Sequence, residues 1–184
     1  MCHMKGRPRY EYTSSYIWTD MDILKSVIRG CVFEKQRILD IACGPNRAIE
    51  TALELVKPNV RYFAIDIRPE PLILKKKESK GLEGIVADAT CTPFVSGSFD
   101  IVFYHHAIDD IIETRGKGSL PDFTREGERI VRKGGTLAFS HAILPGDPYT
   151  KLAGLEDVRK VWMKKGIMRR IQGNLQDWLI FERR

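Results

Sequence analysis

Three aspartates stand at or near the ends of short apolar runs and are the side chains best suited to bind a polar ligand. Asp40 lies inside such a run, and Asp66 and Asp88 each end one. An ionised carboxylate accepts hydrogen bonds and attracts positive charge. Asp66 could bind both hydroxyls of a ribose, and Asp40 suits a cationic ligand. The pattern predicts a binding site for a nucleoside ligand.

Residues 37–47 have the sequence of a buried strand, a tight turn and the start of a helix. Gly44 allows a backbone course closed to other residues, and Asn46 tolerates left-handed geometry. Apolar residues recur at helical spacing from Ala48 onward. Such a turn directs free backbone N–H groups at whatever lies beyond the strand, so we call residues 42–46 the cradle.

Two common phosphate-binding turns are excluded by the residues around Gly44. A dinucleotide fingerprint needs glycines where the chain has Ala42 and Arg47, and arginine is too large for that position. A Walker loop needs Gly-Lys-Ser or Gly-Lys-Thr after the glycine, and neither is present. A nicotinamide-dependent oxidoreductase is therefore the least favoured function.

The cradle resembles the first motif of the class I S-adenosylmethionine-dependent methyltransferases. In that motif an acidic residue of the first strand precedes a glycine-rich turn. Asp40, Ala42, Cys43 and Gly44 match the pattern, whereas Asn46 stands where a glycine is usual. The resemblance implies S-adenosylmethionine as the cofactor and S-adenosylhomocysteine as the product.

The same resemblance extends to the two later acidic positions. It implies that Asp66, followed by Ile67, binds the ribose, and that Asp88 and Ala89 approach the adenine ring. The predicted cofactor-binding residues are Asp40, Ala42, Cys43, Gly44, Asn46, Asp66, Ile67, Asp88, Ala89 and His105.

Alternating strand and helix patterns predict an α/β fold. With the resemblance, which covers about residue 38 to the C terminus, they imply a doubly wound, mostly parallel seven-stranded sheet. Helices cover both faces, and the C-terminal strand is antiparallel. The later strands are predicted at residues 84–89, 98–106 and 136–143, with paired glycines turning the chain into the last of these and a closing hairpin at 168–172 and 177–182.

The length of 184 residues fits one domain. We predict a single methyltransferase domain over residues 1–184. It comprises an N-terminal arm or lid (1–18), an N-terminal helix (19–33) and a Rossmann-like core (37–184).

The candidates for catalysis are His105, His106 and Asp109, which the topology places at the ligand-facing edge. Methyl transfer from a sulfonium needs a base only when the acceptor arrives protonated, and histidine titrates near neutrality. The alternative is that one histidine lines the cofactor pocket and the other packs in the core. The sequence therefore assigns no catalytic base.

Composition limits the location and partners. The absence of a long apolar run and of an apolar signal core predicts a cytoplasmic protein without a membrane segment. The cysteines show no Cys-x-x-Cys pair, so no metal site is predicted. A net charge of +6 leaves RNA open as a partner. The run at residues 75–77 is interpreted as the solvated face of a helix.

The sequence thus predicts an S-adenosylmethionine-dependent methyltransferase with a small-molecule acceptor. The alternatives are an RNA or protein methyltransferase, or a methyltransferase-like protein that binds a nucleoside or a partner without catalysis. Aminopropyl transfer has only Asp109 and Asp110 as support.

Overall fold

The computed structural model describes residues 21–56, 59–79, 81–141, 166–171 and 177–184. In chain order its elements are α1 (Met21–Cys31), β1 (Arg37–Ile41), α2 (Ala48–Val56), β2 (Arg61–Asp66), α3 (Pro69–Glu78), β3 (Leu82–Val86), β4 (Phe99–His105), α4 (Ala107–Arg115), a short 3₁₀ turn (Lys117–Ser119), α5 (Leu120–Ile130), β5 (Val131–His141), β6 (Gly166–Ile171) and β7 (Asp177–Arg183).

The strands form one mixed sheet in the order β3-β2-β1-β4-β5-β7-β6. β1 pairs in parallel with β2 and β4, whereas β7 is antiparallel to both β5 and β6. The predicted α/β fold with an antiparallel C-terminal end is confirmed. After β1 the chain first forms β2 and β3 on one side of it and then β4 and β5 on the other side. The crevice at the carboxyl ends of β1 and β4 is therefore the switch point where such folds bind ligands.

Alternate residues of the central strands enter two separate hydrophobic cores. Ile38 packs in the core that contains residues of α1, α2 and α3. Leu39 and Ile41 pack in the core that contains residues of α4 and α5. A strand covered on both faces has to be apolar throughout, which explains why Asp40 stands out in this one.

Several predicted strand boundaries are wrong, and three of them affect residues near the site or the pairing of the central sheet. β3 ends at Val86, so Asp88 lies beyond the strand and forms an isolated bridge with Cys91. β4 ends at His105, because His106 has a positive φ of 54° and begins the turn into α4. β5 starts at Val131, directly after α5. The predicted end of β5 at residues 142–143 lies outside the described residues.

The paired glycines of β5 form a bulge and not the predicted turn. Val131 pairs with Phe99 and Thr136 with Ile101, so the register shifts between them. Gly134 has a φ of 69°, and a Cβ on Gly135 would lie 2.7 Å from the carbonyl oxygen of Asp100. Glycine is required here because the backbone of β4 approaches so closely.

The predictions for the two ends of the chain are tested in part. α1 falls within the predicted helix at 19–33, and β6 and β7 pair as the predicted antiparallel hairpin. The predicted arm (1–18) lies outside the described residues. α4 was not predicted. Across the part of the chain that the structure describes, no helix has the length and apolar character to cross a membrane.

Candidate functional site

The cradle is held to the second strand by two hydrogen bonds. Ala42 and Gly44 both have positive φ, 52° and 50°, so the backbone turns sharply after β1. The N–H of Cys43 donates to the carbonyl oxygen of Ile65 (2.9 Å), and the N–H of Gly44 donates to Oδ2 of Asp66 (3.0 Å). A Cβ on Gly44 would meet no atom of the described residues within 4 Å, so the space beside this glycine is open.

Asn46 caps the helix that follows the cradle. Its Oδ1 accepts a hydrogen bond from the N–H of Ala48 (2.8 Å), which satisfies one of the free donors at the start of α2. Asn46 has no positive φ, so the expectation of left-handed geometry is wrong. Capping is the physical reason for an asparagine where a glycine is usual.

Asp66 is buried at the end of β2, and its carboxylate is largely occupied. Oδ2 accepts from Gly44, and Oδ1 accepts from both the backbone N–H (2.9 Å) and Nε (3.3 Å) of Arg68. A carboxylate has about four acceptor positions, so about one remains. Ile67, half-buried, follows it.

Asp88 lies at the same edge of the sheet, because the N–H of Ala87 donates to the backbone oxygen of Asp66 (3.0 Å). Its Oδ1 accepts from the N–H (2.9 Å) and hydroxyl (2.8 Å) of Thr90. Its Oδ2 forms an ion pair with Nη2 of Arg115 at 2.6 Å. Ala89 beside it is buried.

The two histidines lie at the end of β4, where His105 is buried and His106, the first residue after the strand, is half-buried. His105 stacks on Trp178 with ring centroids 5.9 Å apart and meets the edge of His106 at 4.4 Å. The backbone N–H of His106 donates to Oγ of buried Ser140 (3.1 Å). Burial lowers the pKa of His106 to about 4. Burial, and then the charges of His106 and Lys75, hold the pKa of His105 well below its usual range.

Both histidines are therefore neutral at pH 7, and each is a weaker base than free histidine. A general base is most effective with a pKa near the working pH, so their surroundings do not tune them for that role. Asp109 lies in α4, and its side chain is outside the described residues.

A family model described as a methyltransferase domain matches residues 39–139, more than half of the chain. The chain belongs to the methyltransferase-domain family. The resemblance to class I S-adenosylmethionine-dependent methyltransferases is thereby confirmed.

Named relatives agree with this assignment. The domain is 30% identical over 107 residues to the phthiotriol/phenolphthiotriol dimycocerosates methyltransferase of Mycobacterium leprae, covering 57% of this chain and 37% of that protein. It is 29% identical over 154 residues to an aklanonic acid methyltransferase of a Streptomyces species, covering 77% of this chain and 68% of that protein. The structure of an S-adenosylmethionine-dependent methyltransferase from Aquifex aeolicus superposes with a TM-score of 0.64 at 16% identity, covering 87% and 88% of the two chains, which shows a shared fold.

Beside the cradle the methyltransferase domain holds a buried charge cluster, which we define as Asp40, Glu50 and Lys75. All three are at most 2% exposed. Nζ of Lys75 donates to Oε1 of Glu50 and to the backbone oxygen of Asn46, and lies 4.0 Å from Oδ2 of Asp40. The same Oδ2 accepts a hydrogen bond from the hydroxyl of Tyr62 (3.0 Å).

This cluster corrects one prediction. Lys76 and Lys77 are exposed as expected of a solvated helix face, but Lys75 is completely buried. Lys75 lies three residues after the buried Leu72, which places both on the inner face of α3. That spacing was a signal in the sequence, and a lysine run concealed it.

The cluster changes the ionisation of its members. Burial, followed by the charge of Glu50, raises the pKa of Asp40 to about 7, although Lys75 opposes the rise. The pKa of Lys75 is raised, because the two carboxylates outweigh the effect of burial. Burial also raises the pKa of Cys43, which is therefore a neutral thiol.

Asp40→Asn is expected to increase the free energy of unfolding by roughly 2 kcal/mol at pH 8. The folded protein binds a proton at Asp40 that the unfolded chain releases near pH 4, so ionised Asp40 lowers stability increasingly as the pH rises from about 4 to about 7. Urea denaturation at pH 5 and pH 8 measures this effect. An equal gain at both pH values would contradict it.

The structure thus joins Asp40, Gly44, Asn46 and Asp66 through direct contacts or through Lys75, with Asp88 next to Asp66. Glu50, Lys75 and Arg115 were not predicted. Each requires knowledge of which helix faces which strand. Within the described ranges, no group of three or more His, Cys, Asp or Glu side chains could hold a metal ion.

Proposed function

We propose that this domain transfers a methyl group from S-adenosylmethionine to a small-molecule acceptor and releases S-adenosylhomocysteine. The observation that carries the proposal is the hydrogen bond from the Gly44 N–H to Asp66, because it joins the cradle to the predicted ribose-binding acid at the switch point of the sheet.

The residues present fit this cofactor. Among the described residues nothing donates a hydrogen bond to Oδ1 of Asp40, although it is buried. As far as the described residues show, the space beside Gly44 is open, and the carboxylates of Asp66 and Asp88 each keep about one acceptor position. We propose that the cofactor is bound by ten residues. They are Asp40, Ala42, Cys43, Gly44, Asn46, Asp66, Ile67, Asp88, Ala89 and His105.

The cofactor supplies a methyl group on a positively charged sulfur, which leaves as a neutral thioether. The protein has to align the acceptor with that methyl group and exclude water. In this proposal Asp66 fixes the ribose and the charge of Asp40 balances the cation. His105 and His106 are both neutral and are not tuned to act as a base, so the acceptor attacks in its unprotonated form, and Asp109 remains the third candidate for catalysis.

Support for a small acceptor comes from the curated relatives. Both are named for small molecules, the phthiotriol/phenolphthiotriol dimycocerosates and aklanonic acid. We further propose that residues 1–184 form one domain, with the arm (1–18) beside the site and β6 completing a seven-stranded sheet. The hydrogen-bonded order of the strands supports the seven-stranded sheet.

A second candidate is binding without catalysis. It is favoured by one observation, which is that Ala42 and Asn46 stand in the cradle where the methyltransferase motif has a glycine-rich turn.

Isothermal titration with S-adenosylmethionine and S-adenosylhomocysteine, with NAD as control, tests the proposal. We expect micromolar binding of the first two and none of NAD. Bound protein is then incubated with radiolabelled S-adenosylmethionine and panels of small molecules, RNA and proteins. Binding without transfer to any acceptor would favour the second candidate, and absence of binding would contradict both.

A further inference from the structure

The buried charge cluster has an unequal number of charges. Asp40 and Glu50 supply two carboxylates, and Lys75 supplies one ammonium group. Two of the three N–H groups of Lys75 are used by Glu50 and by the backbone oxygen of Asn46. Asp40 lies 4.0 Å away, so it receives the weaker share of a single positive charge. When Asp40 is ionised, the cluster therefore carries one excess negative charge beside the cradle.

Stability alone does not explain such a cluster. A buried ion pair gains little over a well-packed apolar pair of similar size, because both charges lose their hydration. α2 and α3 already pack through apolar residues such as Ala52 and Leu72 in the same core. A leucine and a methionine at positions 50 and 75 could continue that contact. The charges therefore call for an explanation connected with Asp40.

Lys75 also fixes the position of the cradle. Its bond to the Asn46 oxygen holds the last residue of the cradle, and its bond to Glu50 holds the first turn of α2. One side chain of α3 thus connects the cradle, the helix after it and the acid before it.

We propose that Lys75 is a positioning residue for the cofactor, which fixes the cradle through Asn46 and favours the anionic form of Asp40 that a cationic ligand requires. Glu50 opposes it by competing for the same ammonium group. The inference rests on the proposed function, since it supplies the cation. A ligand cation near Asp40 completes the charge balance of the cluster.

Several other groups act on Asp40. Tyr62 on β2 donates a hydrogen bond to Asp40, and the charge of Asp66, also on β2, opposes the ionisation of Asp40. Cys43 in the cradle is a neutral thiol, and His105 on β4 is neutral at pH 7. The charge of Lys75 lowers the pKa of Asp40 and the charge of Glu50 raises it, so substitutions of these two residues should shift that pKa in opposite directions.

The test uses two variants that should shift the pH dependence of binding in opposite directions. Glu50→Gln removes the competing carboxylate, so that Asp40 is the one carboxylate of the cluster left to pair with the ammonium group of Lys75. Lys75→Met/Glu50→Leu removes the ammonium group and its partner together. Arg47→Met is the matched control, because Arg47 also joins α2 to α3, through Glu54 and Glu78, without touching Asp40. S-adenosylmethionine, which carries the positively charged sulfur, is used as the ligand; its affinity is measured by titration calorimetry from pH 5.5 to 9, and the Asp40 carboxyl is followed by ¹³C NMR in the free protein.

Wild-type affinity should decline as the pH falls through about 7. Glu50→Gln should lower that midpoint and strengthen binding at pH 6 about threefold to tenfold, since one pH unit corresponds to tenfold. The double variant should raise the midpoint and weaken binding at pH 7 by about as much, and Arg47→Met should leave the midpoint unchanged. The Asp40 NMR midpoint should move in the same directions.

Unchanged midpoints in both variants, with wild-type binding intact, would overturn the inference alone and leave a purely structural role. Shifts of the same sign would also overturn it. Absence of wild-type binding at every pH would overturn the proposed function, and this role for Lys75 with it.

Discussion

Asp66→Ala is expected to weaken binding of S-adenosylhomocysteine by about 100-fold, equivalent to about 3 kcal/mol. The carboxylate is the proposed acceptor for the ribose hydroxyls, and hydrogen bonds to a charged group contribute about 1.5–3 kcal/mol each. The substitution also leaves the N–H of Gly44 without the acceptor that holds the cradle against β2. Titration calorimetry measures the affinity, and circular dichroism verifies that the fold is retained.

Asp100→Ala is the matched control for this experiment. Asp100 also accepts a backbone N–H, that of Arg37 (2.8 Å), and also binds an arginine, Arg132 (2.6 Å). It precedes Ile101, which pairs with Ile38 near the start of β1, at the opposite edge of the sheet from the cradle. We expect it to lower the melting temperature and leave the affinity within about twofold of wild type.

Two results would contradict the assignment of Asp66. Wild-type affinity in Asp66→Ala would remove this residue from the binding set. Equal losses of affinity in both variants would show that binding responds to general destabilisation.

The central part of the fold could be predicted because its signals are local. A parallel strand buried on both faces has to be apolar throughout, so Asp40 and Asp66 could be placed on their strands from the sequence alone. The role of Gly44 in the cradle could also be predicted, because glycine readily adopts a positive φ. The structure gives Gly44 a positive φ.

Other features depended on contacts between distant segments. α4 was missed because Asp109 and Asp110 interrupt its apolar pattern, although Ile108 and Ile111 enter the core. The start of β5 was missed because α5 continues into it without a turn residue. Local patterns do not contain this information, since the pairing with β4 sets the start of the strand.

The buried charge cluster shows the same limit within the site. A glutamate in a helix and a lysine in a basic run are ordinary surface residues by their types. Glu50 and Lys75 lie 25 residues apart in the chain. They are buried because α2 and α3 meet beside Asp40.

Lys75→Met is expected to lower the free energy of unfolding by about 3–5 kcal/mol. The methionine fills a similar volume, but Glu50 and Asp40 then remain buried with no cation in contact with them in the described structure. Urea denaturation followed by circular dichroism at pH 8 measures the change. Lys77→Met is the matched control, because Lys77 lies two residues along the same helix and is exposed; its effect should stay within about 0.5 kcal/mol.

Lys75→Met/Glu50→Leu should recover stability to within about 1 kcal/mol of wild type, since the loss in the single variant arises from the carboxylate left behind. If Lys75→Met were as stable as wild type, the side chain would reach solvent, and the interpretation of the lysine run as a solvated face would be correct after all. A double variant more stable than wild type would instead mean that the charges lower stability. Because the same variant is expected to bind its ligand more weakly at pH 7, the charges would then be retained for binding at the expense of stability.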